Sequence, residues 1–312
     1  MKYAPIIMFV YNRIDHFEKT YEALSKCPEA KDSILYIFSD GAKNEVNIGK
    51  VNQVREAVRK KMNSGDFKEI ILTESPVNKG LAMSIINGVT NIINKHGKVI
   101  VIEDDCIASP YLLNFLNKSL NYFENDISVG AIAGYSPNII FPDQYNQDIF
   151  GTYRSCSCCW ATWINRWENI DWELENFHKF ALNKENIKKF NATGRDRFIR
   201  LYRQTKGKGD SWSVRFGAHL VANNMITIYP RYSYIGNIGC DESGVHSKSE
   251  DAEKMRVDLS KAIAEPKLED VKLNKDIQKI FKKHYSAGVM SDIKRFLATK
   301  AIVFKEKRKK SV

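Results

Sequence analysis

Residues 98–109, KVIVIEDDCIAS, place an apolar run directly before an acidic triplet. Four β-branched residues, 99–102, lead into the carboxylates of Glu103, Asp104 and Asp105. An apolar run bounded in this way predicts a buried strand. Three carboxylates at its end repel one another, and a divalent cation such as Mg²⁺ or Mn²⁺ is the simplest partner that makes their burial favourable. A solvated acidic turn is the competing interpretation.

Strands and helices alternate outward from this stretch through roughly the first 120 residues. Apolar runs at 5–10, 33–39 and 69–73 predict three earlier strands. Apolar residues at helical spacing predict helices near 14–24, 46–62, 81–92 and 112–120, and Ser109 with Pro110 predicts a capped start for the last of them. This alternation predicts an α/β fold with a doubly wound, mostly parallel sheet.

Polar residues follow each predicted strand. Asn12 and Arg13 come after the first strand, Asp40 after the second and Lys79 after the third. Because the carboxyl ends of parallel strands share one edge of a sheet, these residues should converge on one crevice with the acidic triplet. The chain has no GxGxxG after its first strand and no GxxxxGK[ST], which disfavours dinucleotide dehydrogenases and P-loop nucleotidases.

The second half of the chain is rich in tryptophan. Trp160, Trp163 and Trp167 fall at helical spacing and predict a helix that packs in the core, whereas Trp212 falls in a separate polar-flanked turn. Further strands are predicted at 129–133 and 226–230. The polar, glycine-rich stretch 237–247 predicts a mobile loop that closes over a ligand.

Composition and charge limit the partners. The chain has 312 residues and a formal charge of 48 − 37 = +11, which makes polyanions plausible partners. No nucleic-acid motif accompanies the scattered basic residues, so no nucleic-acid partner is expected.

The cluster Cys156, Cys158 and Cys159 lacks a second pair at ligand spacing, which favours reduced thiols over a zinc site. With neither a leader nor a transmembrane stretch in the sequence, a cytoplasmic location is expected.

The end of the chain mixes basic and apolar residues. From about residue 251 the sequence becomes charged and helical, and 294–304 combines lysine and arginine with phenylalanine, leucine, isoleucine and valine. The run KEKRKK at 305–310 follows. Such a mixture is typical of a segment lying on an anionic membrane, here the inner face, and equally of a solvated terminus.

The order of these motifs resembles the GT-A class of nucleotide-sugar glycosyltransferases, a Rossmann-like fold, and within it the N-acetylglucosaminyltransferase I type, whose metal motif is also EDD. The resemblance spans roughly residues 4–250. Its motifs are PIIMFVYNR at 5–13, SDG at 39–41, NKGLA at 78–82, EDD at 103–105, CWATW at 159–163, GDSW at 209–212 and SGVHS at 243–247. It implies a GT-A domain at 1–250, with a nucleotide-binding half at 1–125 and a mixed acceptor half at 126–250. A basic helical extension at 251–312 lies outside it.

The resemblance implies a metal and a donor. Asp105 would ligate Mn²⁺ or Mg²⁺, which bridges the diphosphate of a UDP-sugar. The sugar transferred would be N-acetylglucosamine or a related hexose. Asp104 would meet sugar or ribose hydroxyls, and Glu103 would meet the donor sugar. Transfer with inversion of the anomeric configuration is also implied.

The resemblance further implies a nucleoside site and an acceptor. Asp40 would contact uracil, Asn12 and Arg13 would hold the nucleoside, and Lys79 would meet phosphate. The cysteine-rich stretch 156–159 and the missing lumenal anchor depart from the family. A glycan or lipid-linked glycan of a bacterial surface polysaccharide is therefore the expected acceptor.

The predicted general base is Asp210. Gly209 before it leaves room for an acceptor, and the indole of Trp212 would form a floor for a sugar ring. Asp241 and Glu242 are the alternatives, in the glycine-rich loop that would close over the diphosphate with His246 pointing at phosphate or metal. Two other functions stay open: a nucleotidyltransferase on a similar sheet, and a non-catalytic, membrane-associated protein that binds nucleotide-sugars.

Overall fold

The computed structural model describes residues 3–241 and 256–309, which build around one eight-stranded sheet. Its strands are β1 (Ile6–Val10), β2 (Ile34–Ser39), β3 (Glu69–Glu74), β4 (Lys98–Glu103), β6 (Val129–Ala133), β7 (Ile149–Thr152), β8 (Cys159–Trp163) and β9 (Ile226–Pro230). They lie in the order β3-β2-β1-β4-β8-β6-β9-β7. Two short strands, β5 (Cys106–Ala108) and β10 (Ile235–Asn237), form a separate antiparallel pair.

Eleven α-helices occur in the described residues. They are α1 (Ile14–Ser25), α2 (Glu45–Lys61), α3 (Leu81–His96), α4 (Leu112–Tyr122), α5 (Ile164–Trp167), α6 (Phe177–Leu182), α7 (Lys184–Phe190), α8 (Asp196–Gln204), α9 (Trp212–Ala222), α10 (Lys275–His284) and α11 (Val289–Lys309). The first four follow the helical spacing of apolar residues seen in the sequence. The helical C-terminal end is also as predicted.

The first half of the sheet is parallel. β3, β2, β1 and β4 run in one direction, and their buried residues are almost all Val, Ile, Leu and aromatic, as expected for strands covered on both faces. β8 then lies antiparallel between β4 and β6, and β7 antiparallel beside β9. The prediction of an α/β fold with a mostly parallel sheet and a mixed second half is confirmed.

Helices cover both faces of the sheet. Trp160 and Trp163 point to opposite faces because they are three residues apart on a strand. Trp160 stacks on Trp167 and on Trp212 at the start of α9, on the side where α3 packs with α5 and α9. The indole N–H of Trp163 donates to the carbonyl of Leu120 in α4 at 3.1 Å, on the other side. Helices therefore lie on both faces of the sheet, as predicted for a doubly wound fold.

Three local predictions are wrong. Residues 159–163 form β8, not a helix, because they pair with β4 along their length, and only Ile164–Trp167 is helical. Trp212 begins α9 and is 3% exposed, not part of an open turn. Ser109 does not cap α4: its backbone N–H donates to the carbonyl of Tyr234, which extends the β5–β10 pairing, and the helix begins after Tyr111.

The C-terminal residues share the hydrophobic core. Ile277 and Phe281 of α10 are fully buried in the cluster that contains the sheet. The division of the chain near residue 251 stays a prediction, and residues 242–255 lie outside the described residues. Within the part that the structure describes, no helix has the length and apolarity to cross a membrane.

Candidate functional site

The acidic triplet lies at the carboxyl end of β4, beside the end of β1. Glu103 is opposite Phe9 in the parallel pairing of β4 with β1. Asp104 and Asp105 follow in a tight turn and are only 4% and 6% exposed. The hydroxyl of Thr20 fixes this turn, because it donates to the carbonyl of Asp104 at 2.7 Å and accepts from the N–H of Cys106 at 3.0 Å.

Arg13 brings a positive charge to the triplet. Its guanidinium pairs with the carboxylates of Asp104 and, at 3.1 Å, Asp105. Burial lowers the pKa of Arg13, but the two carboxylates raise it more, and the balance is a raised pKa. Burial raises the pKa of Asp104, Arg13 lowers it and Asp105 raises it, which leaves it at about 6. Burial, with the charges of Asp105 and Asp104, raises the pKa of Glu103 well above its usual range.

The segment after β10 closes the other side of Asp105. The side-chain amide of Asn237 donates to Asp105 Oδ1 at 3.0 Å, and the N–H of Ile238 donates to the Asp105 carbonyl at 2.8 Å. Gly239 lies so close that a Cβ built on it would overlap Asp105 Oδ2. The start of the glycine-rich stretch therefore packs on the predicted metal ligand.

Two residues on one face of α1, His16 and Thr20, were not predicted as site residues. With the predicted Arg13, which directly precedes the helix, they recur at helical spacing, and all three face the triplet or its neighbours. His16 Nε2 lies 3.2 Å from Asp241 Oδ2, which joins α1 to the segment after β10. The spacing of polar residues at 13, 16 and 20 was the available signal, because a turn of helix places them on one side.

Asp40 holds the loop before α3. Its carboxylate accepts from the backbone N–H groups of Gly41, Lys79 and Gly80 at 2.9–3.1 Å, and from the side-chain amide of Asn78 at 3.2 Å. The side chain of Lys79 is exposed. Both carboxylate oxygens are thus used within the protein, and the predicted contact with uracil stays a prediction.

The remaining predicted residues lie in different settings. Asn12 donates from its side-chain amide to Asn47 Oδ1 at 2.8 Å, which ties the end of β1 to the first turn of α2. Asp210 pairs with Arg215 of α9 and keeps 58% of its side chain exposed. The prediction that the indole of Trp212 forms a floor for a sugar ring beside Asp210 is wrong. The Trp212 ring is buried, and its centroid lies 4.9 Å from that of Trp160. His246 and Glu242 lie outside the described residues.

The donors around Asp105 fit a hard divalent cation. In residues 3–241 and 256–309 no group of three or more His, Cys, Asp or Glu side chains could hold a metal ion by itself. Two buried carboxylates are present, however, and burial, with a smaller contribution from the charge of Asp105, raises the pKa of Asp104. Mg²⁺ and Mn²⁺ are commonly held by one or two carboxylates, with phosphates of the substrate and water completing the site.

Comparisons with known proteins give distant structural similarities. No family model matches this chain, and no curated protein matches it. It resembles a mannosyltransferase from Pyrobaculum calidifontis in complex with GDP-mannose and Mn²⁺, at 13% identity and a TM-score of 0.39, covering 71% of this chain and 68% of that one. It also resembles S. aureus TarS, at 11% identity and a TM-score of 0.45, covering 75% and 36%.

A second structure of TarS, residues 1–349, is similar at 11% identity and a TM-score of 0.44, covering 75% of this chain and 60% of that one. The chain thus spans about a third of the longer TarS structure and 60% of the shorter one.

Proposed function

We propose that the chain is a glycosyltransferase that moves a sugar from a UDP-sugar to a glycan or lipid-linked glycan. The observation that carries this proposal is the meeting of Glu103, Asp104 and Asp105 with Arg13 at the carboxyl edge of β4 and β1. Ligands of open α/β sheets bind at this edge. A buried carboxylate cluster beside a guanidinium suits a donor that carries both phosphates and sugar hydroxyls.

Each residue has a proposed task. Asp105, with Asp104 beside it, would hold Mn²⁺ or Mg²⁺, which as a Lewis acid neutralises charge on the departing diphosphate. Arg13 orients Asp104 and Asp105 through its ion pairs and adds positive charge where the diphosphate leaves. Glu103 meets the donor sugar, and the exposed Lys79 reaches toward phosphate.

The nucleoside and acceptor sides are also assigned by proposal. Asn12 and Asp40 shape the nucleoside site, Asp40 by holding the loop that carries Lys79. Asp210 is the proposed general base, and a single displacement at the anomeric carbon would invert its configuration. The sugar is N-acetylglucosamine or a related hexose, and the acceptor belongs to a surface polysaccharide.

A hydrolysis screen tests the proposal. Purified protein is incubated with UDP-, GDP-, CDP- and dTDP-sugars, with and without Mn²⁺, and free nucleoside diphosphate and sugar are quantified. We expect metal-dependent release of UDP and sugar from one UDP-sugar. Asp105→Asn should remove both the release and Mn²⁺-dependent donor binding in calorimetry, while circular dichroism stays unchanged. Unaltered metal-dependent binding in this variant would contradict the assignment of Asp105.

Two further arms separate the alternatives. UTP with sugar 1-phosphates tests for a nucleotidyltransferase, which would release pyrophosphate. Donor binding in calorimetry without release of sugar, in the presence of candidate glycan acceptors, would instead identify a non-catalytic binding protein. Either result would replace the proposed glycosyl transfer.

A further inference from the structure

The C-terminal helix α11 has two sides of different character. One side packs on α6 and α8, where Thr299 and Glu306 are buried and Ile302 and Val303 contact a hydrophobic cluster. The other side, called the outer face here, exposes 44–76% of each of six apolar residues. They are Val289, Met290, Ile293, Phe296, Leu297 and Phe304. Because successive helical residues turn by about 100°, these six lie within an arc of about 120°.

The outer face reverses the usual pattern of a surface helix, whose solvent side is polar. Its charges are positive: the cations of Lys300 and Arg308 lie 4.6 and 5.3 Å from the ring centroids of exposed phenylalanines. The two acidic residues of α11, Asp292 and Glu306, belong to the packed side, with 20% and 4% of their side chains exposed. The outer face is therefore apolar and cationic.

A basic cavity adjoins this helix. It has a volume of about 710 Å³ and is lined by Tyr202, Arg203, Lys206, Lys208 and Lys305. Lys305 directly follows Phe304 of the outer face, and the other residues belong to the end of α8 and the turn after it. Four cations around one cavity repel one another, and a phosphate group is the ligand that relieves this repulsion while accepting their hydrogen bonds.

We propose that the outer face and the basic cavity form one docking surface for a membrane that contains anionic phospholipid. The apolar side chains would enter the boundary between headgroups and acyl chains, and the cations would meet lipid phosphates. Charge decides against a second copy of the chain as the occupant, because two copies of this positive surface would repel each other. An anionic leaflet is complementary in charge and in apolarity. This inference does not depend on the proposed glycosyl transfer.

Vesicle co-sedimentation of the full chain tests the docking surface. Vesicles are phosphatidylcholine alone or phosphatidylcholine mixed with phosphatidylglycerol. We expect binding only to the mixed vesicles, and weaker binding as the salt concentration rises, because salt screens exposed charges. Equal binding to both vesicles, or to neither, would overturn the proposal.

Charge reversal tests the cavity. Lys206→Glu with Lys208→Glu should weaken binding to the mixed vesicles at least ~10-fold, since each lysine near an anionic surface contributes appreciably. Lys60→Glu with Lys188→Glu makes the same charge change at exposed positions elsewhere and is the matched control. Equal weakening by both pairs would mean that net charge alone drives binding, and the docking surface would be rejected.

Substitution of apolar side chains tests the outer face. Leu297→Ser with Phe304→Ser should reduce vesicle binding, whereas Val46→Ser with Ile140→Ser, at positions 82% and 89% exposed, should leave it unchanged. Circular dichroism checks that each variant folds, and ultracentrifugation reports its oligomeric state. If the unchanged protein is an oligomer, and Leu297→Ser with Phe304→Ser makes it monomeric without altering vesicle binding, a second copy covers this face. The lipid proposal would then be wrong.

Discussion

At the scale of single residues, the site depends on a position without a side chain. Gly239 lets the segment after β10 lie directly against the carboxylate of Asp105, where any Cβ would overlap Oδ2. Asp105 is 6% exposed and its Oδ1 accepts from Asn237, so it has little room to move away. A methyl group at 239 must therefore displace either the carboxylate or the segment.

We expect Gly239→Ala to weaken Mn²⁺-dependent donor binding by at least ~10-fold, because a metal ligand tolerates only small displacements. Gly236→Ala, in the preceding strand β10, is the matched control, since its Cβ would meet only Val257 and Leu259 at the ordinary distances of 3.6 and 3.8 Å. Calorimetry measures the binding of both variants. If Gly239→Ala binds donor and Mn²⁺ as tightly as the wild type, the packing of residue 239 on Asp105 is not needed for metal binding.

Asp40 gives a second prediction at this scale. Its carboxylate accepts three backbone N–H groups and one amide, so Asp40→Ala should lower the free energy of unfolding by about 2 kcal/mol. The loop it holds should loosen, and UDP and free diphosphate should then lose affinity together. The exposed Asp32→Ala is the control. A selective loss of UDP with unchanged stability in urea denaturation would instead support contact with uracil.

At the scale of elements, the alternating first half was predictable and the aromatic second half was not. Each of β1 to β4 is a short apolar run, and α1 to α4 have clear helical spacing, so local pattern and tertiary structure agree. Residues 159–163 mislead because tryptophans at i, i+3 and i+7 also fit a strand followed by a turn of helix. The deciding contact is the pairing of β8 with β4, some 60 residues earlier in the chain, which no local pattern contains.

Trp160 of β8 holds the sheet to the helices on one face. Its ring lies 4.9–5.5 Å from those of Trp212, Phe216 and Trp167, and it is fully buried. Trp160→Ala should lower the free energy of unfolding by ~3–5 kcal/mol through the cavity it leaves. Trp160→Phe should cost less, because it keeps an aromatic ring and removes an indole N–H that has no partner within the described residues.

Chemical denaturation checks this ranking, with Trp172→Ala at a half-buried position as the control. If Trp160→Phe destabilises as much as Trp160→Ala, the indole makes a contribution beyond its packing. If neither variant destabilises more than the control, the stacked cluster is not a main support of β8.

At the scale of the whole molecule, the sheet gathers residues that are far apart in sequence. Arg13, Asp104 and Asp105 were predictable as neighbours because parallel strands share one carboxyl edge. The closure of Asp105 by Asn237 and Gly239 was not, since it depends on the antiparallel pairing of β10 with β5 across more than 100 residues. The contact of His16 with Asp241 has the same origin.

The two described candidates for the general base, Asp210 and Asp241, belong to different segments of the chain. Asp210, the proposed base, lies two residues before the start of α9 and pairs with Arg215. Asp241 lies two residues after Gly239 and contacts His16. Asp210→Asn should bind donor and metal normally and transfer sugar ~10²–10⁴-fold more slowly, which is the usual contribution of a positioned base. Asp241→Asn is measured beside it in the same transfer assay. A near wild-type rate for Asp210→Asn, with slow transfer by Asp241→Asn, would assign the base to the segment that closes Asp105 and leave Asp210 as a partner of Arg215 only.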